Sequence, residues 1–313
     1  MKPCYDTIPS LNLQDFLGSD EGKKQKFIYN LGKAYQELGF VTIKNHNLDE
    51  PLINKLFAIY RQFFDLPEEV KNKYYDEKLC GERGYTGKMR ERAKGFKEAD
   101  LKEFFHVGQE RERKYPTNIW PSEITNFSKI NIKAFKALEN IGFSILEALA
   151  LFLNLPQDFL KEKVTLGNSV LRAIHYFPLE NYPSSAVRAA EHCDINFITV
   201  LMSASAEGLQ VKRLDGKWID VKPDPESIVI NVGDMLSRLT NNRLKSTVHR
   251  VVNPSPEKMH QPRYSIPFFM HPRPDVNLAS LESCVDKQHP KLYSDITAGE
   301  FLHQRLVENG LKV

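Results

Sequence analysis

Ser169-Val170-Leu171-Arg172-Ala173-Ile174-His175-Tyr176-Phe177-Pro178 is where the chain changes character. Up to this point its apolar residues recur at helical spacing. Here they become β-rich, and the run stops at a proline that cannot donate to a strand ladder. Further strand-like runs follow at 196–202, 209–213, 218–221, 227–232, 246–252 and 264–270. Turn signals such as Asp215-Gly216, Pro223-Asp224-Pro225 and Asn253-Pro254 separate them. Short strands at this spacing, with no helices alternating between them, predict an antiparallel sandwich or barrel.

Working back from Ser169, the sequence predicts helices. Phe27, Leu31, Ala34, Tyr35 and Leu38 form one apolar face over 23–40, ended by Gly39. Val41-Thr42-Ile43 then reads as a short β segment. Pro51 suits the first turn of a second helix carrying Leu52, Leu56, Ile59 and Phe63. A long helix is predicted over 122–153, with Ile130, Phe135, Leu138, Ile141, Leu146 and Leu149 inward. The Gly-, Lys- and Glu-rich stretch 79–108 reads as an irregular connection. Working forward, Thr297 and Glu300 make a capping-box pattern ahead of Phe301, Leu302 and Leu306. The expected organisation is therefore a helix-rich region 1–165 packing on the core, a β core 166–275 and a helical segment 276–313.

With 313 residues, 41 % hydrophobic and 27 % charged, the chain has an ordinary globular composition. A net charge of +3 is small for this length and argues against a nucleic-acid partner. Its densest basic run holds Lys88, Arg90, Arg92 and Lys94. That run reads as a solvated face, or as a wall attracting an acidic small molecule. Four cysteines (Cys4, Cys80, Cys193, Cys284) show neither disulfide-framework nor zinc-finger spacing. The first residues lack the apolar stretch of a secretion signal. The most apolar stretch, 141–159, is broken by Glu147 and Asp158 and reads as a core helix rather than a membrane span. These features lead to the expectation of a cytoplasmic protein. No GxGxxG, GxxxxGK[ST] or GxSxG pattern is present.

The chemistry centres on His192-Cys193-Asp194 and the distant His249. In an extended segment, residues i and i+2 face the same way, so His192 and Asp194 can grip one ion while Cys193 faces away. Two imidazoles and a carboxylate cover one face of an octahedral metal and leave three positions open, an arrangement suited to non-haem Fe(II). The tripeptide alone is weak evidence, because about one H-x-[D/E] match is expected by chance at this composition. Arg263-Tyr264-Ser265 adds a second element. By alternation Arg263 and Ser265 share a face, and a guanidinium beside a hydroxyl is a carboxylate-binding pair. An arginine on the outer face, paired with a surface acid, would carry no such meaning.

With these residues in place, the chain resembles the isopenicillin N synthase-like family of Fe(II)/2-oxoglutarate-dependent oxygenases over nearly its whole length. Ile8-Pro9-Ser10-Leu11-Asn12-Leu13, the stretch from Leu38-Gly39-Phe40-Val41 to Asn45-His46, Phe63-Phe64-Asp65-Leu66-Pro67, Gly84-Tyr85 and Leu101-Lys102-Glu103-Phe104-Phe105-His106-Val107-Gly108 resemble its N-terminal region. Its metal motif is met by His192, Asp194 and His249, and its R-x-S motif by Arg263 and Ser265. The resemblance implies a mainly β fold with helical flanks, a distorted double-stranded β-helix (jelly roll). It also implies an enzyme using Fe(II) and O₂, with 2-oxoglutarate as cosubstrate, that oxidises a small molecule by hydroxylation, desaturation or cyclisation and releases succinate and CO₂. The far carboxylate of 2-oxoglutarate would meet Arg263 and Ser265, with Tyr176 matching a family tyrosine that adds a hydroxyl. Two positions depart from the pattern. Ile174 stands where an asparagine is frequent, and the gap from His249 to Arg263 is a few residues long. Two other readings stay open here. One is an O₂-dependent oxidase of the isopenicillin N synthase type that uses no 2-oxoglutarate. The other is a non-catalytic metal-binding jelly roll.

Overall fold

The computed structural model describes residues 5–79, 81–91, 98–179, 186–202 and 204–308. The first part of the chain supplies β1 (Ser10–Asn12), α1 (Leu13–Leu17), α2 (Glu21–Glu37), β2 (Phe40–Lys44), α3 (Glu50–Phe64), α4 (Glu68–Asn72), β3 (Gly84–Thr86), β4 (Glu103–Gly108), α5 (Phe127–Phe152) and α6 (Phe159–Val164). The second part supplies β5 (Val170–Tyr176), β6 (Ala189–His192), β7 (Ile198–Met202), β8 (Leu209–Lys212), β9 (Trp218–Asp220), β10 (Ser227–Val232), α7 (Asp234–Leu239), β11 (His249–Val251), β12 (Arg263–Met270) and α8 (Ala298–Glu308). No helix among the described residues is long and apolar enough to cross a membrane.

Two sheets face each other. The larger has eight strands in the order β1-β2-β10-β7-β12-β5-β4-β3, the smaller four in the order β6-β11-β8-β9. Every pairing is antiparallel except that of β1 with β2. Strand alternation assigns each side chain to one of two cores. Leu171 and Ala173 of β5, and Tyr264, Ile266, Phe268 and Met270 of β12, turn outward into the helix-covered cluster. Helix α5 lies across β7 and β12 there, with Phe135 edge-on to Phe268 at 4.8 Å. Ile174 and Tyr176 turn inward, joining Phe40, Phe104, Val211, Val229 and Val251 between the sheets.

Helices α2, α3, α5 and α8 match the sequence expectations, with ends set by local chemistry. Asp20 caps α2 by accepting the Lys23 N–H at 3.1 Å. Gly39 ends the turn after it at φ 75°, and a Cβ there would lie 2.2 Å from the Lys245 carbonyl oxygen. At α8, Glu300 accepts the Thr297 N–H at 2.9 Å, and the Thr297 hydroxyl in turn accepts the Glu300 N–H at 3.3 Å, completing the capping box.

The stretch 79–108 is a correction. Instead of an irregular connection it contributes β3 and β4, and all six residues of β4 are buried. Four of its polar residues, Glu91, Asp100, Lys102 and Glu103, are interior ion-pair partners. Lys102 lies 2.7 Å from both Glu91 and Asp100, and Glu103 accepts from Lys71 at 2.9 Å and from His175 at 2.8 Å. The Gly-, Lys- and Glu-rich composition suggested an irregular connection because sequence does not show which charges meet across 30 or 70 residues. Helix α7 was also unforeseen. It is short, and its Met235, Leu236 and Leu239 enter the helix-side core.

Candidate active site

His192 closes β6 and His249 opens β11, and the two residues are direct cross-strand partners. Asp194 lies just beyond the end of β6. Cys193 also borders the cleft described below, and it is not among the three residues whose ligand atoms converge. Strand geometry stops at His192, and alternation does not extend past it. One ligand atom from each of His192, Asp194 and His249 lies within 4.8 Å of the others. Asp194 Oδ1 is 3.7 Å from His249 Nε2 and 4.0 Å from His192 Nε2.

The backbone sets how these groups point. His192 Nδ1 is 2.8 Å from the Ala190 carbonyl, and His249 Nδ1 is 3.1 Å from that of Thr247. A ring N–H given to a carbonyl leaves the Nε2 lone pair directed at the centre. On the carboxylate, Oδ2 accepts from Thr199 at 2.6 Å and Asn231 at 2.7 Å, leaving Oδ1 for an ion. Burial and then the neighbouring His249 lower His192 to about 4, so the imidazole is neutral and ready to ligate near pH 7. Burial pushes Asp194 up, but the two imidazoles and the Asn231 and Thr199 hydrogen bonds together hold it below its usual value. The donor set, its convergence and its outward-anchored rings fit a divalent transition metal.

The sequence-derived clamp residues lie on β12 and β5. Arg263 pairs with Tyr176 in register and Ser265 with Ile174. The Arg263 guanidinium sits 4.9 Å over the Tyr176 ring, and its Nε is shared by the carbonyls of Ala206 and Glu207 at 3.1 Å each. Its Nη1 is buried without a partner. An unanswered buried guanidinium fits an anionic ligand group.

A cleft of about 860 Å³ opens beside His192 and Asp194. Arg83, Arg90, Lys102, Arg172 and Arg305 border it, together with Glu77, Glu82, Glu91, Asp100, Glu191 and Asp234. Arg263, Ser265 and Tyr176 take no part in its wall. Of the basic run, Arg90 borders the cleft and Lys88 lies over the Phe177 ring at 4.9 Å, while Arg92 and Lys94 fall outside the described residues. Sequence reading missed Thr199 and Asn231, which orient Asp194, and the Lys102–Glu91–Arg172 group. The first two carry a signal: each is a polar residue at an inward position between apolar, outward-facing neighbours.

The family model described as the 2OG-Fe(II) oxygenase superfamily matches residues 167–272, and the model for the non-haem dioxygenase N-terminal region (in morphine synthesis) matches residues 8–123. The 2-oxoglutarate-dependent dioxygenase frbA of Dothideomycetidae sp. is 31 % identical, over 96 % of each chain. The chain belongs to the Fe(II)/2-oxoglutarate-dependent oxygenase family. Among solved structures, a Caulobacter crescentus protein assigned to that family is 41 % identical, with a TM-score of 0.86 over 96 % of this chain and 98 % of its own. Neurospora crassa T7H in complex with alpha-KG and thymine is 30 % identical, with a TM-score of 0.87 over 96 % of each chain. The expected jelly roll with helical flanks holds, and the oxygenase is a 2-oxoglutarate-dependent dioxygenase with Fe(II) as its metal.

Proposed function

We propose that this oxygenase holds Fe(II) through His192 Nε2, Asp194 Oδ1 and His249 Nε2, and the far carboxylate of 2-oxoglutarate through Arg263, Ser265 and Tyr176. The observation that carries this reading is the convergence of the three ligand atoms within 4.8 Å, each already oriented by a backbone carbonyl or side-chain donor. Bound together, metal and cosubstrate supply the power to oxidise an unactivated C–H bond, with succinate and CO₂ released. The protein's part is positional. Ala190 and Thr247 fix the imidazole tautomers, Thr199 and Asn231 fix the carboxylate, and Arg263 orients the cosubstrate from its far end.

The prime substrate, on this reading, is a small polar molecule carrying at least one negative group. Arg83 on the cleft wall supports it, because its Nε is buried without a partner, whereas Lys102, Arg172 and Arg305 there are paired with Glu91, Asp100 and Asp234. The cleft volume is in the range of small-molecule sites, and the related T7H is seen with thymine. The order of the motifs supports a place in the isopenicillin N synthase-like branch. The free thiols of Cys193 and Cys284 suit the cytoplasm.

The test is anaerobic titration of the Fe(II)-loaded protein with 2-oxoglutarate, following the visible charge-transfer band of a 2-oxo acid chelate. The band is expected to appear, and to need much more 2-oxoglutarate in Arg263→Ala at unchanged iron content. Iron binding without the band would favour an oxidase that needs no 2-oxoglutarate, and failure to bind iron would remove the metal assignment.

A further inference from the structure

Arg188 was not singled out by any motif, yet it is 2 % exposed, and Arg263 is 1 % exposed. It lies just ahead of β6, four residues before His192. Its backbone N–H donates to Asn253 Oδ1 at 3.0 Å and its Nη2 to the Gln261 carbonyl at 2.9 Å. Its Nε is buried without a partner, as is Arg263 Nη1. Among the described residues no carboxylate pairs with either guanidinium. Burial first, and then the nearby Arg263, lower Arg188 to about 10, while Tyr176 opposes the shift. Gln261, whose carbonyl accepts from Arg188 Nη2, lies two residues before Arg263, which itself sits over the Tyr176 ring.

We infer that Arg188 is a second guanidinium of the cosubstrate site, closing with Arg263 and Tyr176 on the far carboxylate of 2-oxoglutarate. This rests on the cosubstrate assignment made above for Arg263. Two buried like charges without a counter-ion are costly, and the cost falls when an anion enters between them. A carboxylate offers about four lone-pair positions and can accept from both forks at once. The unusually long connection from β11 to β12 acquires a purpose on this reading. Asn253 Nδ2 donates to the Ala186 carbonyl at 2.8 Å, the Met259 carbonyl accepts from Leu179 N–H at 2.9 Å, and Gln261 receives Arg188 itself. The connection is a scaffold that holds Arg188 in place.

The test uses the full-length, Fe(II)-loaded protein without oxygen. The charge-transfer band is titrated with 2-oxoglutarate and, separately, with 2-oxopentanoate, which has the same chelating end but no far carboxylate. Arg188→Met is expected to weaken 2-oxoglutarate roughly ten- to a hundredfold, the range for a charged hydrogen bond, and to leave 2-oxopentanoate unchanged. Arg188→Lys should recover part of the loss. In the metal-free state, Arg188→Met should melt no lower than the parent, since it removes an uncompensated buried charge. Equal weakening of both ligands would make Arg188 a wall residue and overturn the inference, as would no weakening of either. If Arg263→Met weakens 2-oxoglutarate and Arg188→Met does not, only this inference fails. If Arg263→Met has no effect either, the cosubstrate assignment fails with it. Should Arg188→Met not fold, Arg188→Lys carries the same comparison, with intermediate weakening confined to 2-oxoglutarate as the expected result.

Discussion

Replacing Thr199 by valine tests how far the protein, rather than the metal alone, sets the strength of the site. The Thr199 hydroxyl has one proton to give. Its Oγ1 lies 2.6 Å from Asp194 Oδ2, 3.1 Å from Asn196 Nδ2 and 3.4 Å from Asn196 Oδ1. The proton therefore goes to the carboxylate, and the Asn196 amide donates into the hydroxyl. Valine keeps the shape and deletes that charge-assisted hydrogen bond, while Asn231 still holds Oδ2 at 2.7 Å and Asn196 Nδ2 keeps the Ile198 carbonyl at 2.9 Å. A hydrogen bond to a charged group is worth about 1.5–3 kcal/mol. At about 1.4 kcal/mol per decade this corresponds to roughly ten- to a hundredfold in affinity, matching the usual effect of losing an outer partner of a metal ligand. Binding of Mn(II) to the anaerobic protein, read from the signal of the free ion, should weaken by that factor in Thr199→Val and be nearly preserved in Thr199→Ser. Parental affinity in the valine variant, or equal losses in both, would refute the reasoning.

His249→Ala should abolish Fe(II)-dependent succinate formation while the circular dichroism spectrum is retained; residual turnover would take His249 out of the ligand set. Glu103→Gln leaves the 4 %-exposed Lys71 ammonium without a counter-charge, and should cost about 3–5 kcal/mol at pH 7, the scale for breaking a buried pair. Burial alone would raise Glu103, but the hydrogen bonds from His175, Tyr85 and Lys71 lower it below its usual value. Its stabilisation is thus complete above the unfolded carboxyl value near 4.3 and is lost as pH falls through the depressed folded value. The melting-temperature gap between parent and variant should narrow below about pH 4.3; a gap that widened there would contradict the assignment. Gly142→Val should cost about 1–3 kcal/mol by overpacking, because even a Cβ on α5 would lie 2.7 Å from the Met270 sulfur; urea unfolding checks this.

Local periodicity determined much of this protein from sequence. The outward Tyr264, Ile266, Phe268 and Met270 and the inward Arg263 and Ser265 follow from a two-residue period that depends only on strand geometry, and the α2, α3 and α5 faces follow from a 3.6-residue one. The candidate metal motif was legible only in company: His192-x-Asp194 and His249 alone are weak, and the R-x-S pair and the order of the family's other motifs gave them weight. What the sequence left open was every fact about partners. The composition of 79–108 looked like an irregular connection until Lys102 met Glu91 and Glu103 met Lys71 inside the fold. Thr199, Asn231 and Arg188 are ordinary residues along the chain; they gain their roles because β7 and β10 bring the first two to Asp194, and the segment leading into β6 brings Arg188 to the Gln261 carbonyl beside Arg263. Which face a side chain takes is a matter of neighbours one or two residues away, whereas the cost or value of a buried charge depends on atoms that only the closing of both sheets brings within hydrogen-bonding distance.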